Sequence, residues 1–236
     1  MKYIQKNGCP EKYTLWCKSV VDTDEEDYNE LKGVNKQILF DALIKEQGFI
    51  CGYTMKKINR DTAHIEHIKP QSLCRREKPG SDLDYTNLIA CYPLKDNKAK
   101  YRYGATKKGD WWEKGGKEFV SPLEYACESY FHFDLEGKII ASTSNIAAIN
   151  TIKVLALNHG SLTEERKRVI EEFIHGPYKK DPLSPSQTTR AISNICNQNG
   201  EGHYHEFCIV IRDALKQHLS GLEKNRRQNK YSQRKN

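Results

Sequence analysis

His64, Glu66 and His67 fall within four consecutive positions of the segment DTAHIEHIKPQS, residues 61–72. A neutral histidine, with an ordinary pKa of about 6.5, can take a proton from water near neutral pH. A carboxylate holds a hard divalent cation, which neutralises charge on a phosphate and on a leaving oxygen. Together these residue types suit metal-assisted hydrolysis, although a polar surface strand would carry the same letters. A zinc protease needs two histidines four apart on a helix, in the pattern H-E-x-x-H. Here they are three apart and Pro70 stops any helix, which speaks against protease chemistry.

These side chains need elements to position them. From 62 to 68 the pattern alternates, with Ala63 and Ile65 pointing one way and His64 and Glu66 the other. That is a strand leading into a turn, and His67 is expected at an exposed turn. DLDYTNLIACY supplies the next strand, Leu88 to Cys91, entered through Asn87. If the two strands pair and a helix or turn from 95 to 110 packs below, the His64–Glu66 face, His67 and Asn87 meet in one cleft. An asparagine there fixes the histidine through a side-chain or main-chain hydrogen bond.

Upstream, residues 24–47 carry Leu31, Val34, Ile38, Leu39, Ala42 and Leu43 at helical spacing behind an acidic start. This is a helix or a pair broken at Gly33, stopped at Gly48. FICGYT then predicts a short strand. Residues 93–119, PLKDNKAKYRYGATKKGDWWEKGGKEF, interleave Tyr101, Tyr103, Trp111 and Trp112 with Lys and Arg. A solvated loop has this composition, and so does a surface that meets phosphates and stacks on bases. The C-terminal half is helical. SLTEERKRVIEEFIHGP has a capping-box pattern at Ser161 and Glu164 and an apolar stripe of Val169, Ile170, Phe173 and Ile174. DPLSPSQTT is expected as a loop and HEFCIVIRDALKQHL as an amphipathic helix. The end, residues 224–236, has six Lys or Arg and no acid, the composition of a disordered tail.

The chain of 236 residues, 37% hydrophobic and 29% charged, is ordinary for a soluble globular protein of one large domain or two small ones. No apolar run approaches the ~20 residues that span a bilayer. MKYIQKNGCPEKY lacks the apolar stretch of a signal peptide, so the cytoplasm is the expected location and no membrane partner is expected. A net charge of +7 is compatible with a nucleic-acid partner. The eight cysteines form no C-x-x-C pair, so neither disulfides nor structural zinc are expected.

HIEHIKPQS followed by DLDYTNLIACYP resembles the HNH endonucleases. More narrowly, the chain is similar to the HNH nuclease subunit of Septu-type anti-phage systems (PtuB-like), which sometimes occurs with retrons. LIKEQGFICGYT, PLEYACESYFHFDLEGKII and TIKVLALNHGSLTEERKRVI extend the similarity over most of the chain. The resemblance implies an α+β fold, with a ββα-metal nuclease core embedded in a mainly helical domain. Its implied parts are an N-terminal helical segment 1–48, the HNH core 49–125, a C-terminal helical region 126–223 and the basic tail 224–236.

Carried over by resemblance, His67 is the general base, Glu66 a metal ligand and Asn87 the middle asparagine of HNH. His64 supports the site or touches the metal. The third HNH position stays open. Spacing from Asn87 favours Asn97 in DNKAK, which resembles N-x-x-K. Alignment on ATKKGD places Ala105 at the ligand position, with Lys108 or Asp110 contributing. Many relatives carry C-x-x-C on both sides of the site. Here the pairs are Cys51 with Thr54 and Cys91 with Leu94, so the zinc site of those relatives is incomplete. The implied cofactor is Mg²⁺ or Mn²⁺, and the implied substrate DNA or RNA. The implied partner is an ABC-type ATPase (PtuA-like), joined in retron settings by a reverse transcriptase and its msDNA. The alternative is an HNH-derived subunit that binds nucleic acid or a partner without cutting.

Overall fold

Alternation in the segment around Glu66 produces a real strand. In the computed structural model, which describes residues 1–94, 102–142, 144–175 and 181–233, β1 (His64–His67) pairs antiparallel with β2 (Leu88–Cys91). The register sets His64 against Cys91, Ile65 against Ala90, Glu66 against Ile89 and His67 against Leu88. β2 is buried along its whole length, while β1 alternates half-buried and buried residues. Among the described residues no third strand covers β2. The Gln47 carboxamide takes that place: Nε2 donates to Ala90 O at 2.8 Å and to Ile50 O at 2.9 Å, and Oε1 accepts from Ala90 N at 2.6 Å. A buried edge peptide is thereby paired without a strand.

α1 (Glu11–Ser19) packs on α2 (Gly33–Glu46). The long pattern over 24–47 is a broken pair: a 3-10 turn at Tyr28–Glu30 precedes α2. Gly48, at φ +59, ends the helix run as its position suggests. FICGYT departs from expectation. It forms a turn rather than a strand, with Met55 N donating to Cys51 O at 3.0 Å and Cys51 N to Lys56 O at 2.8 Å. A Cβ at Gly52 would stand 2.9 Å from Ile89 Cδ1, so this turn presses directly on β2.

The link from β1 to β2 contains α3 (Gln71–Glu77) and 3-10 turns at Ser81–Leu83 and Tyr85–Asn87. After β2 comes the single turn α4 (Ala105–Lys108). A second hairpin follows, β3 (Phe131–Phe133) with β4 (Ile139–Ala141). Strands of three residues are too short for their alternation to show in sequence. The remaining helices are α5 (Ile146–Val154), α6 (Gly160–His175), α7 (Pro185–Asn194) and α8 (Cys208–Gln233).

Three local expectations change. Ser161 lies inside α6, its hydroxyl 3.0 Å from His159 Nδ1, and is not a cap. The capping box belongs to Ser184 and Gln187, with Pro185 in the first turn, so α7 starts inside DPLSPSQTT. The basic end is helical through Gln233, consistent with the helix preference of Lys, Arg and Gln.

Arg166 ties α6 to the second hairpin. Its guanidinium is buried over the Phe133 ring, with Nη1 donating to Leu157 O at 2.7 Å and Gly137 O at 3.3 Å. Burial lowers it to about 9. One apolar cluster includes Ile44, Ile65, Ile89, Phe131 and Leu215, joining both hairpins to the helices. Among the described residues no helix is long and apolar enough to cross a membrane.

Candidate active site

β1 presents His64 and Glu66 to a cavity of about 220 Å³, and α4 with the residues after it forms the facing wall. Ala105, Thr106 and Asp110 line that wall. Lys108 comes from the same turn, and its ammonium is fully buried. Its three donors meet three acceptors: His67 O at 3.1 Å, Glu66 Oε1 at 3.2 Å and Gly109 O at 3.3 Å. The lysine thus clamps the end of β1 to α4 and holds one oxygen of Glu66.

The other oxygen, Oε2, lies 3.7 Å from His64 Nε2. His64 Nδ1 bonds the Pro93 carbonyl, which only accepts, so Nδ1 carries the proton of the neutral ring. The Nε2 lone pair is therefore left facing a carboxylate oxygen. Two electron-pair donors converging in this way fit a cation between them. Among the described residues no group of three His, Cys, Asp or Glu side chains forms a cage for a metal. A carboxylate–imidazole pair leaves most of a cation's coordination positions to water or to other ligands.

His67 is buried at 8% exposure, not exposed in a turn. Its Nε2 donates to Asp82 O at 2.8 Å, and its ring stands edge-on to Tyr28 with centroids 4.6 Å apart. Nδ1 keeps the lone pair. Burial lowers the imidazole from its ordinary value and outweighs the opposing Asp82 bond and Glu66 charge. The ring is held as the neutral, proton-accepting form.

Asn87 does not touch that ring. Its Oδ1 accepts from Lys69 N at 2.8 Å, its Nδ2 donates to Lys69 O at 2.9 Å, and its own carbonyl accepts from Ile68 N at 2.9 Å. It closes the base of the link between β1 and β2. The structure therefore brings His64, Glu66, His67 and Asp110 together around one cavity, bonds Lys108 to Glu66, and puts Asn87 in the link between the strands. Asn97 lies outside the described residues.

No family model matches the chain. It is 31% identical over 173 residues to "Retron Vc95 putative HNH endonuclease" of Vibrio cholerae serotype O1 biovar El Tor, a match spanning 65% of this chain and 80% of the relative. The chain belongs to the HNH endonuclease family.

This HNH chain also uses a residue that its motif does not mark. Asp82 is fully buried in the link between the strands. Its carbonyl holds His67, while Oδ2 accepts from Arg75 Nε at 2.9 Å, Gln71 Nε2 at 3.1 Å and Tyr28 N at 3.1 Å. Burial pushes its carboxyl up, but the bonds from Arg75, Gln71 and Tyr28 outweigh it and hold the pKa below the usual value. A lone aspartate in a turn-rich stretch carries no sequence signal for this role. Arg75, Gln71 and His67 are near it in the chain, but Tyr28 is 54 residues away.

Two expected outcomes arise here. A carboxyl depressed in the fold stabilises above its unfolded pKa, about 3.9, and loses that contribution as pH falls through the folded value. Asp82→Asn should therefore unfold more easily at neutral pH yet lose less further stability on acidification, checked by urea melts across about pH 2–7. Asn87→Ala strands the Lys69 N–H and carbonyl. It should cost about 1–3 kcal/mol and lower the cleavage rate by loosening the link behind His67. Thermal melting beside a cleavage assay checks both effects.

Cys51 and Cys91 are buried free thiols. Burial would raise Cys51, but hydrogen bonds from Cys91, Thr54 and Tyr92 N–H outweigh it and bring the thiol to about 6.

Proposed function

We propose that this HNH chain hydrolyses phosphodiester bonds of nucleic acid, DNA or RNA, with Mg²⁺ or Mn²⁺, as the effector of a prokaryotic anti-phage system. One observation carries the reading: a neutral histidine base and a carboxylate–imidazole donor pair line the same 220 Å³ cavity. Glu66 Oε2 and His64 Nε2 would hold the cation, with Asp110 beside them and Asn97 added by family resemblance. When bound, the cation neutralises charge on the scissile phosphate and the leaving oxygen.

The chain's own groups do the rest. His67 Nδ1 takes a proton from the attacking water. The Nε2–H bond to Asp82 O keeps the ring oriented and stabilises the imidazolium that forms. Lys108 fixes Glu66 Oε1 so that Oε2 stays turned into the cavity. Asn87 and Asp82 are positioning residues. The β1–β2 hairpin facing α4 supports a ββα-metal core within residues 49–125.

The retron named in the relative supports a defence setting. Resemblance to the Septu-type nuclease subunit supports an ABC-type ATPase partner, with a reverse transcriptase and its msDNA in a retron version. The test incubates the purified chain, alone and with its ATPase, with duplex DNA, single-stranded DNA and RNA in Mg²⁺, Mn²⁺ or EDTA. Cation-dependent cleavage of any of the three is expected. No cleavage under any condition would favour the non-cutting HNH-derived subunit.

A further inference from the structure

α4 and the residues after it separate two cavities. Thr106, Gly109 and Asp110 line the Glu66 cavity. Lys107, Lys108 and Trp111 line a second one of about 380 Å³, closed by Asn150 and Lys153 of α5 and by Glu113. Lys107 and Lys153 are exposed, and neither has a carboxylate partner among the described residues. Nearby, Lys114 pairs with Glu118. Lys108 is already committed to Glu66, so two unpaired cations face one acid, Glu113, across the groove.

The aromatic residues of this stretch divide sharply. Tyr103 is fully buried, and Trp112 covers Gly116, where a Cβ would stand 2.3 Å from the indole. Trp111 is half-buried, braced by Phe119 at a centroid distance of 6.1 Å, and lines the groove. A braced indole between free cations is the arrangement that holds a nucleobase and its phosphate. Asn150 donates through Nδ2 to Glu118 Oε2 at 2.9 Å, leaving its Oδ1 as an acceptor for a base edge.

We infer that the second cavity takes the unpaired nucleotide next to the scissile phosphate. Its base stacks on Trp111, and its phosphate lies between Lys107 and Lys153. The inference rests on the nuclease reading of the adjacent cavity and narrows its substrate to single strands or duplexes with an unpaired segment. A base inside a duplex is stacked on both faces and must be flipped or unpaired to reach such a site. A volume of 380 Å³ is within the ~300–1,000 Å³ of small-molecule pockets.

The test measures binding of a labelled single-stranded oligonucleotide and the matching duplex to the full chain in EDTA, so that cleavage plays no part. Trp111→Ala should weaken single-strand binding about tenfold, leave duplex binding unchanged and be rescued largely by Trp111→Phe. Lys107→Ala combined with Lys153→Ala should flatten the salt dependence, lowering its slope by about 0.7 for the one phosphate no longer neutralised. Wild-type single-strand affinity in Trp111→Ala, or equal weakening of single strand and duplex, would overturn the inference. Absence of cleavage in Mg²⁺ would instead count against the nuclease reading and leave these binding results intact.

Discussion

Replacing His67 with alanine should slow nucleic-acid cleavage by about 10²–10⁴-fold at saturating cation. The Nδ1 lone pair is the proton acceptor of the proposed reaction, and its orientation comes from the Nε2–H bond to Asp82 O at 2.8 Å. The ring is also buried against Tyr28, so the substitution does more than remove a base. It leaves a small void and an Asp82 carbonyl without its donor, at a cost of about 1–3 kcal/mol. Melting temperature should fall with the rate. His67→Gln separates the two effects, because its amide nitrogen reaches the position of Nε2 and can donate to the same carbonyl, but the amide cannot accept the proton from water. It should melt closer to wild type and be as inactive as alanine. A near-wild-type rate in either variant would remove His67 from the chemistry.

Glu66→Gln should shift the cation requirement to much higher Mg²⁺ or Mn²⁺, with activity partly recovered at high concentration. The shape is kept, but the charge that attracts a hard cation is gone. A second consequence follows from the 3.2 Å contact to Lys108. The buried ammonium loses its only anionic neighbour within bonding distance among the described residues. Breaking such a pair costs about 3–5 kcal/mol, reduced here because two carbonyls still accept from Nζ. The two consequences separate by melting with and without Mn²⁺. A cation that binds the native state raises its melting temperature by mass action. Wild type should gain on adding Mn²⁺ and the variant should gain little. Equal gains would place the cation away from Glu66.

Much of the site's frame was legible in the sequence because it is local. Alternation around Ile65 and the stop at Pro70 give β1, and Leu88 to Cys91 gives its partner. The Ser184–Gln187 box was equally local, but two prolines and a run of Ser and Thr mimic a loop. Contacts made by folding were not legible. Nothing near Gln47 shows that its carboxamide will pair the free edge of β2, and nothing near Asp82 shows that it will hold His67. Lys108 was in view only as one of two alignments. Its place against Glu66 depends on where α4 packs against the hairpin, which no local pattern in the sequence fixes.

The most direct test of the central claim is the cleavage rate of the Glu66→Gln, His67→Ala double variant in saturating Mg²⁺, beside each single variant. If the two residues serve one chemical step in one cavity, the double variant should cut about as slowly as the slower single one, because groups acting as a unit lose their effect together. Losses that multiply, as at two independent sites, or residual cutting near the wild-type rate, would contradict it.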